Sequence, residues 1–252
     1  MFDPSQFDLQ RSYQNAANQG KTRHPEFQKI WQTLESSSLD VHVIVMDRPA
    51  PRQGQTVYQA RMIDPKHQKA YKDELTKTPL KDDLAEIFPA GSEDDVYVEI
   101  NYFYEEGKGI LEPGLGIVIH EFFHAFEYEQ FRLQGKEKTA YADASYATTL
   151  KIMETEAVLL EILTNEISLA SRVRADQVKR VKNLSDLISA YQNKCSLTDV
   201  DQRNIGRALN EVWTILKKNG YAEPTGIAKP RAIGIEDLIG LNALYGFPKI
   251  ER

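Results

Sequence analysis

The stretch Leu115 to Leu133, LGIVIHEFFHAFEYEQFRL, constrains this chain more than any other. It contains His120-Glu121-Phe122-Phe123-His124, a match to the pattern H-E-x-x-H. On a helix, residues i and i+4 stand one above the other on one face, so both imidazoles can reach a single metal ion from one rigid element. Glu121 follows the first histidine on the adjoining surface, which suits a base holding a zinc-bound water. Zinc lowers the pKa of such a water towards ~7, and a nearby carboxylate can take its proton as it attacks a carbonyl. With 5 histidines and 21 glutamates in 252 residues, the five-residue pattern is expected by chance roughly 0.008 times. The bland alternative is an amphipathic helix with two half-buried histidines. The apolar neighbours Ile117, Val118, Ile119, Phe122, Phe123 and Phe126 suit either reading. Context favours the metal: a strand, a loop, this helix and a later acidic helix follow in order.

Charge and cysteine usage narrow the function classes. A net charge of −6 and a sequence pI near 5.5 argue against a nucleic-acid binder or a polybasic membrane partner. No apolar run approaches the ~18 residues of a membrane span. The first residues, MFDPSQFDLQRSYQ, lack the basic-then-apolar pattern of a signal peptide. The expectation is a cytoplasmic protein, or one exported without such a signal, as a bacterial effector of a dedicated secretion system would be. Cys195 is alone, so neither an internal disulfide nor a thiolate zinc cage is available, and a reducing compartment fits.

Residues 1–24 are polar, rich in Gln and Asn, and read as a loosely ordered arm or a short helix. Residues 25–252 read as one catalytic unit, with an α/β half over 25–135 and a helical half over 136–252. Pro25 opens an expected helix, Glu26 to Ser36. Asp40 to Asp47 reads as a strand, and Thr56 to Ile63 as a second that pairs with it. His42, in the first strand, and His67, in a polar segment from Lys66 to Lys77, read as structural and surface residues. Asp82 to Phe88 reads as a short helix. Val96 to Tyr104 alternates Val96, Val98, Ile100, Tyr102 and Tyr104 with more polar residues, which suits an edge strand. Gly135 stops the metal helix. Beyond Thr139 the expected helices are Tyr146 to Arg172, Ala175 to Tyr191, Leu197 to Lys218 and Ile235 to Tyr245. The fold class is therefore α+β, with a small N-terminal twisted sheet and a mainly helical C-terminal half.

Zinc catalysis takes three protein ligands and an open position. The extended pattern H-E-x-x-H-x-x-G-x-x-H is absent, because Glu127 and Gln130 stand at its last two positions. A carboxylate on the next helix is the alternative, in Lys151-Ile-Met-Glu154-Thr-Glu156-Ala157-Val-Leu-Leu-Glu161. Here the chain resembles the gluzincins, the thermolysin-like zinc metallopeptidases. The resemblance implies a zincin-like sheet whose edge strand precedes the H-E-x-x-H helix, and a glutamate ligand from a second helix, often in E-x-x-A followed by Asp. Glu154-Thr-Glu-Ala157 fits that pattern, with Val158 where the Asp would stand. It covers roughly residues 40–170 as architecture and only His120, Glu121, His124, Glu154 and Ala157 as motif. The ligand set it implies is His120, His124 and Glu154, with Glu121 as general base and Zn2+ as cofactor. Glu156 and Glu161 compete with Glu154. Glu156 lies about 200° round the helix from Glu154, and Glu161 lies on Glu154's face about two turns on, where it could support a ligand.

The expected function is a zinc-dependent endopeptidase. A peptide or protein substrate would add as a strand along 96–104, and a Tyr or His would donate to the oxyanion. Tyr141, Tyr146, Tyr191 and Tyr221 are available for that donor. The alternative is a zincin scaffold used as a binding or regulatory module without peptidase activity.

Overall fold

The computed structural model describes residues 4–38, 40–46, 58–63, 97–103, 115–135, 143–167, 172–221 and 229–251. Side-chain surroundings are defined for 14–38, 115–116, 118–135, 148–167, 172–221 and 229–250. The elements in order are α1 (Pro4–Arg23), α2 (Pro25–Glu35), β1 (Asp40–Met46), β2 (Tyr58–Ile63), β3 (Tyr97–Phe103) and α3 (Leu115–Leu133). There follow α4 (Asp143–Thr164), α5 (Arg172–Val178), α6 (Leu184–Asn193), β4 (Leu197–Thr198), α7 (Asp199–Lys218), α8 (Ile239–Tyr245) and β5 (Ile250–Glu251). A single 3-10 turn, Ile235–Asp237, precedes α8.

The α+β class is corrected. Where side-chain surroundings are defined, the protein is 75% helix and 2% strand. That body contains no sheet beyond the two-residue pairing of β4 with β5, so it is mainly helical rather than built on a twisted zincin-like sheet. The backbone of β1, β2 and β3 does pair, in the order β1-β3-β2. β3 runs parallel to β1 and antiparallel to β2, so it has a neighbour on each side. Residues 97–103 are thus a central strand, and neither side of it is open for a substrate strand. β2 pairs with β3 and not with β1 as expected. Alternation marked β3 as a strand, but it carries no information about position within a ladder.

Two helices, α3 and α4, are buried almost all round where their side chains are defined and occupy the middle. α3 packs against α1, α2, α4, α8 and β2. Phe122 meets Phe27 edge-on at 5.8 Å and stacks on Trp31 at 5.2 Å, which docks α2 on α3. Phe123 and Phe126 are fully buried, and truncating such a phenylalanine to alanine costs about 3–5 kcal/mol. α7 is amphipathic, burying Ile205, Ala208, Leu209, Val212, Trp213 and Leu216 along one stripe. Its start is set by a capping box between Thr198 and Asp201.

Several helix limits differ from the sequence expectation. Residues 4–23, read as an arm or short helix, are α1. The long helix expected over 146–172 stops at Thr164, where Asn165 takes a left-handed φ of 57°. The helix expected over 175–191 is split into α5 and α6 around Asn183, at φ 66°. Asn tolerates that conformation better than most residues, and periodicity does not register a single residue of it. The helix expected at 82–88 and the segment 66–77 with His67 lie outside the described residues, as does the side chain of His42. Among the described residues no helix is long and apolar enough to cross a membrane.

Candidate metal centre

His120 and His124 are one helical turn apart on α3, and both are buried. Their Nε2 atoms lie 3.2 Å apart, with the rings edge to face. α4 crosses α3 and brings Glu154 to the same point. Its Oε2 is 3.9 Å from His120 Nε2 and its Oε1 is 3.8 Å from His124 Nε2. One ligand atom from each of the three residues falls within 4.8 Å of the others. Among the described residues no fourth His, Cys, Asp or Glu joins the group.

The protons decide what this cluster can do. His120 Nδ1 lies 2.7 Å from Glu161 Oε1, and His124 Nδ1 lies 2.8 Å from Glu127 Oε2. Those oxygens accept, so each neutral ring carries its proton on Nδ1. When both rings are neutral, both Nε2 atoms present lone pairs, and at 3.2 Å neither has a hydrogen to offer the other. Two facing lone pairs repel unless a cation lies between them. Glu154 Oε2 is buried and receives no hydrogen bond, a further acceptor that a cation would satisfy. With metal–ligand bonds of ~2.0–2.2 Å, two ligand atoms on one tetrahedral zinc stand roughly 3.3 Å apart. The Nε2–Nε2 separation of 3.2 Å matches that edge length, and the two Glu154 oxygens approach one nitrogen each at 3.9 and 3.8 Å, with one atom per residue falling within 4.8 Å. Two imidazoles and a carboxylate thus fit a divalent transition metal such as zinc.

Burial raises the Glu154 carboxyl above its usual range, and the charges of His120 and Arg174 and a hydrogen bond from the Tyr221 hydroxyl only partly offset it. Burial, then the neighbouring His120 and Arg174, hold the His124 imidazole well below its ordinary value, so it stays neutral. His120 differs. Burial pulls it down, but the hydrogen bond and charge of Glu161, with the charges of Glu121 and Glu154, shift it up overall.

Local sequence explains how Tyr221 arrives. α7 ends in Asn219-Gly220-Tyr221, with Gly220 at φ +104°. Gly220 N donates to Lys217 O at 3.2 Å, and Tyr221 N to Leu216 O at 3.2 Å, the paired bonds of a Schellman motif. This turn aims Tyr221 back at the site, where Arg174 Nη1 donates to its hydroxyl oxygen. Arg174 Nη2 also donates to Glu161 Oε1 at 3.4 Å. Arg174 therefore ties the support of His120 to the tyrosine. Burial pushes the Tyr221 phenol well above its ordinary value, so it keeps its proton.

Of the other site candidates, Glu121 is buried and acts electrostatically on both His120 and Tyr221. Glu156 is on the far side of α4, where its Oε1 accepts from Leu241 N at 2.8 Å. Tyr191 donates to Asn242 Oδ1 at 2.8 Å and serves the core. Tyr141 and the side chain of Tyr146 lie outside the described residues. Cys195 is exposed. Sequence reasoning missed Glu127 and Arg174. Glu127 stands three residues after His124, a local spacing that could have marked it. Arg174 is brought in only by tertiary packing. No family model, characterised protein or solved structure matches the chain.

Proposed function

We propose that this protein is a zinc-dependent endopeptidase of gluzincin type, in which His120, His124 and Glu154 hold the metal. The observation that carries the reading is the convergence of two imidazole Nε2 atoms, each on a ring whose Nδ1 faces a carboxylate, and an orphaned carboxylate oxygen on one buried point beside Glu121. A bound zinc supplies Lewis acidity there. Glu161 and Glu127 hold the imidazoles in the tautomer that presents Nε2. Glu121 takes the proton of the water that attacks the peptide carbonyl and passes it to the leaving amine. Tyr221, held by Arg174 and protonated, donates to the developing oxyanion. A site with three protein ligands and no fourth among the described residues favours catalysis over a purely structural zinc. The substrate is a peptide or protein segment, bound otherwise than as a strand added to β3. A lone exposed Cys195 suits a reducing compartment, the cytoplasm.

The test is a proteome-wide cleavage screen comparing wild type, wild type with chelator, and Glu121→Gln. Peptides released by wild type alone support the reading. Cleavage by Glu121→Gln at the wild-type rate removes Glu121 as the base. Stoichiometric zinc with no cleavage by any form leaves a binding module on a metal scaffold.

A further inference from the structure

Positive charge is gathered at one junction of an otherwise acidic molecule. Residues 172–182 and 217–221 carry seven cations and one acid, Asp176, a net +6. The whole chain carries −6, so the remainder carries −12. Tertiary structure joins the two segments. The first is α5 and the turn after it, which bury Arg174, Ala175, Val178 and Val181 on one side. Its other side exposes Arg172, Lys179, Arg180 and Lys182, with Val173 65% exposed among them. Asn219 Nδ2 donates to Gln177 Oε1 at 2.9 Å. That bond seats the end of α7, with exposed Lys217 and Lys218, against α5.

Fold stability does not account for the cluster. The C-terminal end of a helix favours a nearby cation, which explains Lys217 and Lys218. Six exposed cations at one junction still repel one another, and none of them fills the core. What such a cluster does is raise the local concentration of an anionic partner and speed its arrival.

The inner side of the same junction narrows the partner. There Arg174 Nη1 donates to the Tyr221 hydroxyl. Tyr221 is three residues from Lys218 and Arg174 two from Arg172. Three residues span at most about 11 Å, a distance that an extended peptide covers in three or four residues. A peptide passing Tyr221 thus reaches the cations within a short length of its own chain. At physiological ionic strength exposed charges are largely screened beyond ~8 Å. A short acidic segment on the junction escapes the −12 elsewhere, whereas a membrane surface or a nucleic-acid duplex spreads past the junction and meets it.

Resting on the peptidase reading above, we propose that the α5–α7 junction is a docking surface for an acidic segment of the protein substrate. The segment pairs with the cations beside the bond to be cut, and Val173 offers it an apolar contact.

The experiment is fluorescence anisotropy of a labelled Glu-rich peptide and of its Gln counterpart on the full chain carrying Glu121→Gln, which does not depend on turnover. The Glu-rich peptide binds, the Gln-rich one does not, and added salt weakens binding. Adding Lys179→Glu/Arg180→Glu weakens it about tenfold. The control is Arg203→Glu/Arg207→Glu, at two exposed positions of α7 roughly 16 Å or more along the axis from Lys218. It makes the same change in net charge and leaves binding as in the parent chain. On a substrate from the cleavage screen, Lys179→Glu/Arg180→Glu in the otherwise wild-type chain raises KM and leaves kcat unchanged. Equal losses in the two charge-reversed variants, no binding of the Glu-rich peptide at low salt, or tighter binding of phosphatidylserine vesicles or duplex DNA than of the peptide overturns the proposal. A chain that cleaves but does not bind the peptide keeps the peptidase reading and loses this one. A chain that binds the peptide at the junction but cleaves nothing keeps the docking surface and loses the peptidase reading.

Discussion

His120 and His124 share a helix, a face and one candidate metal point, yet they are held by different kinds of support. Behind His120 stands Glu161, paired with Arg174, which also holds Tyr221. That side is charged and connects to Tyr221, the oxyanion donor of the proposed mechanism. Behind His124 stands Glu127, whose buried side chain packs under Gly240 of α8. That side is fully buried and connects to the C-terminal fold. The consequence is visible in the rings: the neighbours of His120 raise its proton affinity, whereas burial and its neighbours lower that of His124. One turn of helix suffices to place two like residues in unlike electrostatic surroundings. The difference lies in which other helices cross at each level.

The largest effect should come from Glu154, where the two sides meet. Glu154→Ala is expected to weaken zinc binding by more than the ~10–100-fold typical of outer-shell changes, and by much more than Glu156→Ala. Chelator competition measures both, and the reverse order would mean that α4 presents Glu156 to the metal instead. His120→Ala and His124→Ala should likewise remove most of the zinc by elemental analysis.

Next comes the substrate-facing end of the His120 side. Tyr221→Phe is expected to lower kcat by about 10²–10³-fold, the loss typical of one oxyanion donor, while zinc affinity stays close to wild type. Unchanged turnover on a substrate found in the cleavage screen would return the oxyanion role to another group.

The sharpest contrast is a matched pair of amide substitutions. Glu161→Gln removes a charge from an acceptor paired with Arg174, and zinc binding should fall ~10–100-fold. Glu127→Gln should hold near wild type, because burial already favours an uncharged Glu127 and an amide carbonyl accepts from His124 Nδ1 as the carboxyl oxygen does. Equal losses in the two variants would erase the asymmetry between the histidines.

The smallest effect concerns pH and the metal-free protein. Burial is the main cause that raises Glu156 from 4.5 to about 8. A group with a raised folded-state pKa contributes stability that is complete below its unfolded value and lost as pH rises through its folded one. Thermal stability of the metal-free chain should therefore decline between pH 5 and 8, more steeply for wild type than for Glu156→Gln. Parallel slopes in the two proteins would show that Glu156 does not hold a proton in the folded chain over this range.

What could be read without a structure follows chain locality. The i, i+4 spacing of His120 and His124, the apolar circumference of α3 and the stop at Gly135 are properties of one helix and its ends. Glu154 was reachable through E-x-x-A, and Glu161 because it shares a helix face with Glu154. The overall class was harder to read. Three short stretches alternate well enough to form strands, but the bulk of the defined body is helical, and alternation did not reveal that β3 has a neighbour on both sides. The broken helices at Asn165 and Asn183 each turn on one left-handed residue.

By itself, then, the sequence determined that a helix would carry two imidazoles and a carboxylate on adjoining faces, because helical geometry depends only on spacing. Only the tertiary structure decided which carboxylates stand behind those imidazoles. Arg174 lies 50 or more residues from the histidines and Tyr221 97 or more. Their meeting depends on how α4, α5, α7 and α8 pack around α3. A hydrogen bond acts over about 3 Å whatever the separation in sequence. No local pattern records which distant donor will arrive within that distance.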